Sequence, residues 1–237
     1  MKITRLKDHS ILKAASTVSR EYMARSKPNN PQQDPLATMR ESYAIEIFLS
    51  ISSVVDCVDQ LYFSVEMLSG YRSNSKPDRM NRYDYIVFGI ENYYLRLTSV
   101  FDRCLRLANI IFQLRLPERQ CNNETIIKNL YIKGTTVAST LQELDKFTGT
   151  FRFFRNTIAH QESYKEEELN RLGMYYFLVE DDESLKRYRH LYKTLTDEFV
   201  AEKKVEFTGY VANLENLVGL YFDALNPIFE VKLKSFV

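Results

Sequence analysis

Apolar residues recur along most of this chain at intervals of three and four, the spacing that lines one side of an α-helix. Between residues 10 and 26, Ile11, Leu12, Ala15, Val18 and Tyr22 follow it and predict a short amphipathic helix with a thin apolar face. In Lys27-Pro28-Asn29-Asn30-Pro31-Gln32-Gln33-Asp34-Pro35, three prolines among polar residues cannot continue a helix and predict a linker. From Leu36 to about Ser69 a dense pattern (Ile45, Phe48, Leu49, Ser52, Val55, Val58, Leu61, Tyr62, Val65, Leu68) predicts one long core helix, stopped at Gly70. The polar stretch Arg72-Ser73-Asn74-Ser75-Lys76-Pro77-Asp78 predicts the turn into a second long helix, from about Asp78 to Leu116, with Pro117 after it. Two long helices on a short loop become antiparallel neighbours, the start of a bundle.

Beyond Pro117 the pattern is more broken. Asn122 or Asn123 is placed to cap a short third helix carrying Ile126, Ile127 and Leu130, and helical spacing returns from Val137 to Phe147. The charged mix from Glu166-Glu167-Glu168 to Arg171 predicts a solvated helix whose order weakens after Gly173. The apolar run Met174–Val179 fits a helix end or a short strand, and helix is preferred. After a turn at Glu180-Asp181-Asp182-Glu183, Leu185, Tyr188, Leu191, Tyr192, Leu195 and Phe199 predict a helix over 185–203. A last helix carries Leu214, Leu217, Val218, Tyr221, Phe222 and Leu225, kinked or ended by Pro227. Only 7 Gly and 6 Pro stand among 237 residues, too few for a turn-rich β fold. The expectation is an all-α chain with an N-terminal appendage over 1–35 and one helical domain over 36–237.

Charge and cysteine content narrow the chemistry. With 32 Lys and Arg against 31 Asp and Glu, the net charge of +1 supplies no global attraction to nucleic acid or anionic membrane, so any RNA contact must be local. Cys57, Cys104 and Cys121 show no CxxC spacing, which argues against a disulfide framework and a zinc finger and fits a reducing cytoplasm. The first residues, Met1-Lys2-Ile3-Thr4-Arg5-Leu6-Lys7-Asp8-His9, lack the apolar run of a signal peptide, and no stretch has the ~20 apolar residues of a membrane span.

The candidate chemistry sits between Phe147 and His160. On a continuous helix, Phe147, Phe151, Phe154 and Ile158 fall in one narrow core stripe, while Arg152, Asn156 and His160 follow one another at intervals of four along the opposite edge. Arg155 lies between the two, about 140° from His160, so one straight helix does not aim both at a single small atom. A histidine that titrates near neutrality can take the proton of a ribose 2′-hydroxyl or return one to a leaving 5′-oxygen, and a guanidinium can stabilise the charge of a phosphorane. That chemistry needs no metal and no cofactor. Asn156, one turn before His160, can orient the imidazole or bind a phosphate oxygen, and Phe153 beside it offers a base-stacking face. The alternative is structural: Arg155 and Asn156 as capping or interface donors and His160 as a helix terminus.

Phe151-Arg152-Phe153-Phe154-Arg155-Asn156-Thr157-Ile158-Ala159-His160 resembles the Arg-Asn-x-x-x-His signature of the HEPN superfamily. Glu91-Asn92-Tyr93-Tyr94-Leu95-Arg96 and Phe101-Asp102-Arg103-Cys104-Leu105-Arg106 also look like HEPN-like proteins of bacterial toxin and defence systems, so the resemblance covers about residues 36–230. It implies a helical bundle with long antiparallel core helices that dimerises through the motif region. It also implies a metal-independent endoribonuclease that cuts single-stranded or loop RNA, leaves a 2′,3′-cyclic phosphate and acts as a toxin or defence effector, with an antitoxin or another protein as regulator. Arg155 and His160 would be the catalytic pair, Asn156 their support, Arg152 and Phe153 RNA contacts, and Asp102 or Glu91 of the second helix a further polar group. The other reading of the resemblance is a non-catalytic HEPN-like module that dimerises and binds RNA or a protein. Members silenced by nucleotidyl transfer carry His-x-Tyr; here Gln161-Glu162-Ser163 separates His160 from Tyr164, a departure that leaves this regulation outside the resemblance.

Overall fold

Apolar spacing sets the helix boundaries over most of the chain in the computed structural model, which describes residues 5–26, 36–71, 80–179 and 182–236. Among these residues lie eight α-helices: α1 Ser10–Arg25, α2 Met39–Met67, α3 Arg82–Ile111, α4 Asn123–Ile127, α5 Thr136–Gly149, α6 Arg152–His160, α7 Glu167–Leu178 and α8 Arg189–Lys234. No strand occurs among them, so the all-α expectation holds. The expected linker at 27–35 and the turn at 72–78 lie outside the described residues. Also among the described residues, no helix is long and apolar enough to cross a membrane.

Local chemistry explains where the helices stop. The Asn122 side chain accepts the Thr125 N–H at 2.9 Å and starts α4, as an N-cap should. The second long helix ends at Ile111, short of the expected Leu116. Asn109 accepts the Leu116 N–H and donates to the Leu116 carbonyl, both at 3.0 Å, closing a loop in which Gln113 and Arg115 take φ of 54° and 57°. Two non-glycine residues in the left-handed region cannot continue a right-handed helix.

Two further expectations change. Of the helix expected over 185–203, the first residues lie in a 3-10 turn, Glu183–Tyr188, and the rest merges with the segment around Leu214 into α8, 46 residues long with Pro227 inside it. Val218, Tyr221, Phe222, Leu225 and Phe229 stay buried on both sides of the proline, and this packing outweighs the lost N–H. Gly173 lies within α7 instead of loosening it, because the Tyr83 ring rests where a side chain would stand: a Cβ there would meet that ring at 2.6 Å. Gly173→Ala should therefore destabilise the protein by about 1–2 kcal/mol although alanine is the better helix former. Urea denaturation measures it, and a gain in stability would show that Tyr83 moves aside freely.

Contacts divide the chain into two units. One comprises 59–98 and 150–213; the other comprises 3–58, 99–149 and 214–237. In the first, Gln60 pairs with Arg96, and Met67 accepts from the Tyr85 hydroxyl, so α2 and α3 run antiparallel there. α8 runs alongside α3, with Arg82 bound to Asp197 and the Tyr93 ring stacked on Phe207 at 4.1 Å. In the second unit Cys57 meets Ser99, Arg103 reaches Ser53, and the Tyr221 hydroxyl donates to the Cys104 carbonyl at 2.7 Å. Residues 5–26 group with this second unit. Leu6, Ile11, Ala15 and Val18 are buried, Arg25 pairs with Glu41, and His9 caps α1 and meets Asp223 at 3.1 Å.

Candidate active site on the motif helix

The continuous helix expected from Phe147 to His160 is interrupted. α5 ends at Gly149, and Phe151, at φ −102° and ψ −1°, caps a new helix that begins at Arg152. The break falls where Phe151 turns inward: it is buried, with its ring 4.9 Å from Tyr210. Phe147 thus belongs to a different helix from the motif, and the expected four-residue core stripe reduces to Phe151, with Phe154 and Ile158 half-buried. Within the nine residues of α6 the four-residue spacing of Arg152, Asn156 and His160 survives. These three, together with Phe153 and Arg155, are all exposed.

An aromatic cluster holds α6 in place. Tyr94 of α3, 2% exposed, stacks on Phe154 with centroids 4.7 Å apart and also meets Phe151, Tyr164 and Phe207 at 5.5–6.0 Å. Such pairs each add about 0.5–1.5 kcal/mol beyond the area they bury. The helix ends where the Thr157 carbonyl takes the N–H groups of both Gln161 and Glu162, which makes His160 its last residue.

The loop after His160 is fastened twice. The Glu91 carboxylate accepts the Tyr164 backbone N–H at 2.8 Å, and the buried Tyr164 hydroxyl donates to Glu166 at 2.8 Å. Lys203 of α8 bridges Glu166 and Glu206, each at 2.9 Å, and Tyr210 donates to Glu206. Burial works against the Lys203 ammonium, yet the two carboxylates outweigh it and hold its pKa above the ordinary value. Burial likewise pushes the Tyr94 and Tyr164 hydroxyls far above the usual tyrosine range. Tyr164, the tyrosine nearest the histidine, is thus enclosed and already bonded.

The side chains of the motif are differently engaged. Arg155 donates to the Asn156 side-chain oxygen at 2.9 Å, and no hydrogen bond or ion pair of His160 is among the described contacts. Asn156 is therefore bound to the arginine and not to the imidazole. Of the two polar candidates on α3, Glu91 is tied to the loop that follows His160. Asp102 is exposed and belongs to the other unit. The two are not interchangeable. Spacing within the motif did not mark Tyr94, Tyr164, Glu166, Lys203 or Glu206. The only trace was the tyrosine pair inside Glu91-Asn92-Tyr93-Tyr94-Leu95-Arg96.

No curated protein and no solved structure matches this chain. Residues 38–219, most of its length, match the family model described as Cthe2314-like HEPN, and the chain belongs to the HEPN superfamily.

Proposed function

We propose that this protein is a metal-independent endoribonuclease of HEPN type that cuts single-stranded or loop RNA in the cytoplasm, as a toxin or defence effector under a protein regulator. The observation that carries the reading is one exposed helix on which Arg152, Asn156 and His160 line one edge and Arg155 is bonded to Asn156, anchored beneath by Tyr94 and behind by the Tyr164 loop. A histidine with no hydrogen bond or ion pair among the described residues is available to a substrate. In the proposed reaction His160 removes the ribose 2′-hydroxyl proton, the 2′-oxygen attacks the adjacent phosphorus, and the bond to the 5′-oxygen breaks. That oxygen leaves with the proton that the imidazolium returns to it, and the product keeps a 2′,3′-cyclic phosphate. Arg155 neutralises charge on the phosphorane, Asn156 holds the guanidinium at 2.9 Å, and Arg152 and Phe153 receive the phosphate backbone and a base. The test is incubation with total RNA in EDTA: cleavage that leaves cyclic phosphate ends supports the reading, and intact RNA favours a non-catalytic binding module.

The site is proposed to be shared by two copies of the chain. Arg155 and His160 diverge by about 140° around α6, so a two-fold partner supplies what one helix cannot aim. Phe153 is 73% exposed beside the motif, and Phe88 and Leu95, also exposed, lie one turn to either side of Glu91 on α3. Apolar surface of this kind supports burial against a second copy. Mixing Arg155→Ala with His160→Ala subunits should restore part of the activity through sites built from the intact residues. Verified heterodimers without activity would place each site within a single subunit.

A further inference from the structure

The motif helix has little of its own to hold it. α6 is nine residues long, shorter than the ~12–15 at which isolated helices become stable in water, and Phe151 at its start carries no polar group to cap the first N–H groups. Arg155 and His160 are exposed, so their aim follows the placement of the helix. A single ammonium reaches both of its ends. Lys203, Glu206 and Tyr210 follow one another on one face of α8 at intervals of three and four. The Lys203 Nζ lies 2.9 Å from Oε1 of Glu166 and 2.9 Å from Oε2 of Glu206. The other oxygen of each carboxylate accepts a tyrosine hydroxyl at 2.8 Å, Tyr164 on Glu166 and Tyr210 on Glu206. Tyr164 stands in the loop after His160 with its ring 5.8 Å from Phe154, and the Tyr210 ring meets Phe151, the residue that caps α6, at 4.9 Å. The chain Tyr164, Glu166, Lys203, Glu206, Tyr210 thus runs from the loop that follows α6 back to the residue that starts it.

We propose that Lys203 is a positioning residue of the motif: it holds both ends of α6 through Tyr164 and Tyr210 and so fixes where Arg155 and His160 point. Only 14% of its side chain is exposed, so water replaces its two ion pairs poorly, unlike an exposed pair such as Lys165 with Glu162. Without the ammonium, Glu166 and Glu206 face each other as two carboxylates with no cation between them, and their repulsion displaces the hydroxyls they hold. The neighbouring Lys204 does not take over, because its ammonium is engaged 3.1 Å from Glu66 and 3.2 Å from Ser69. A misplacement of about 1 Å at reacting groups can lower a rate by 10²-fold, so a residue that touches no substrate can still govern the chemistry.

Three variants test it: Lys203→Met; the double variant Tyr164→Phe with Tyr210→Phe, which keeps the rings and the ion pairs but severs both links; and Lys204→Met as control. Amide hydrogen exchange across Arg155–His160, well below the unfolding temperature, should be roughly tenfold or more faster in the first two and unchanged in Lys204→Met. The second readout, RNA cleavage in EDTA, rests on the ribonuclease reading. There kcat per folded molecule should fall about 10–10²-fold in the first two variants while KM stays within about twofold. A merely structural role would lower the folded fraction, which circular dichroism counts, and leave kcat per folded molecule unchanged. The double variant decides the matter if Lys203→Met does not fold. The proposal is overturned if α6 exchanges in the double variant as in the wild type, if the folded variants keep the wild-type kcat, or if Lys204→Met shows the same losses. Should the wild-type protein leave RNA intact, the ribonuclease reading fails, and the exchange rates alone decide whether Lys203 places α6.

Discussion

Replacing His160 with alanine is expected to reduce RNA cleavage by about 10²–10⁴-fold, the range a positioned general acid–base contributes, while leaving the thermal unfolding midpoint nearly unchanged. The two halves of this expectation come from the same geometry. His160 is exposed at the last turn of α6, so its removal takes away no packing, and surface changes of this kind stay within about 0.5 kcal/mol. Arg155→Ala should fall by about 10²–10³-fold, because a group that meets charge only in the transition state is lost from the barrier and not from substrate binding. Single-turnover cleavage in EDTA measures both, with product ends analysed for cyclic phosphate. A twofold effect from a folded His160→Ala protein would move the histidine from chemistry to binding, and full activity in both variants would sink the assignment.

Local signals in the sequence carry different weights. Apolar spacing located α1, α2 and most of α3, because a buried helix face must repeat its apolar residues whatever it packs against. Asn122 was legible as a cap because the bond it makes to Thr125 is local. Features decided by distant contacts were not legible. Gly173 and Pro227 have the chemistry of helix breakers, yet the Tyr83 ring and the buried stripe around Phe229 override it. The break before Arg152 has the opposite character: Phe151 is a tolerable helix residue, and its burial near Tyr94 and Tyr210 turns the chain there.

The candidate site divides in the same way. Arg155, Asn156 and His160 lie within one six-residue run, and the edge that Asn156 and His160 share with Arg152 follows from helical periodicity. What steadies them does not. Glu91 reaches Tyr164 from α3, and Lys203 reaches Glu166 from α8, contacts between residues far apart in the chain that no spacing rule encodes. The Glu91 carboxylate accepts the Tyr164 N–H and so holds the loop that follows His160. Positive charge at the candidate site is local as well, since Arg152 and Arg155 stand exposed on α6 in a chain whose net charge is only +1.

The anchoring of α6 leads to a graded expectation for stability. Tyr94→Ala removes a ring that is 2% exposed and touches Phe151, Phe154, Tyr164 and Phe207, so a loss of about 3–5 kcal/mol is expected. Against a total of about 5–15 kcal/mol this leaves the fold marginal. Phe151→Ala should cost nearly as much, since Phe151 is also buried and packs on Tyr210 as well. Phe154→Ala should cost less, because the half-buried ring keeps solvent on one side and loses chiefly its stack on Tyr94. Phe153→Ala should stay within about 0.5 kcal/mol, as its ring is 73% exposed. Urea denaturation at constant protein concentration gives the order, and Tyr94→Phe serves as a control that keeps the ring. If Phe153→Ala proved as damaging as Tyr94→Ala, α6 would be docked through its opposite face, and the edge carrying Asn156 and His160 would be turned inward. The same variants separate anchoring from chemistry: Tyr94→Ala should lose RNA cleavage together with protection of α6 amides from hydrogen exchange, whereas His160→Ala should lose cleavage alone.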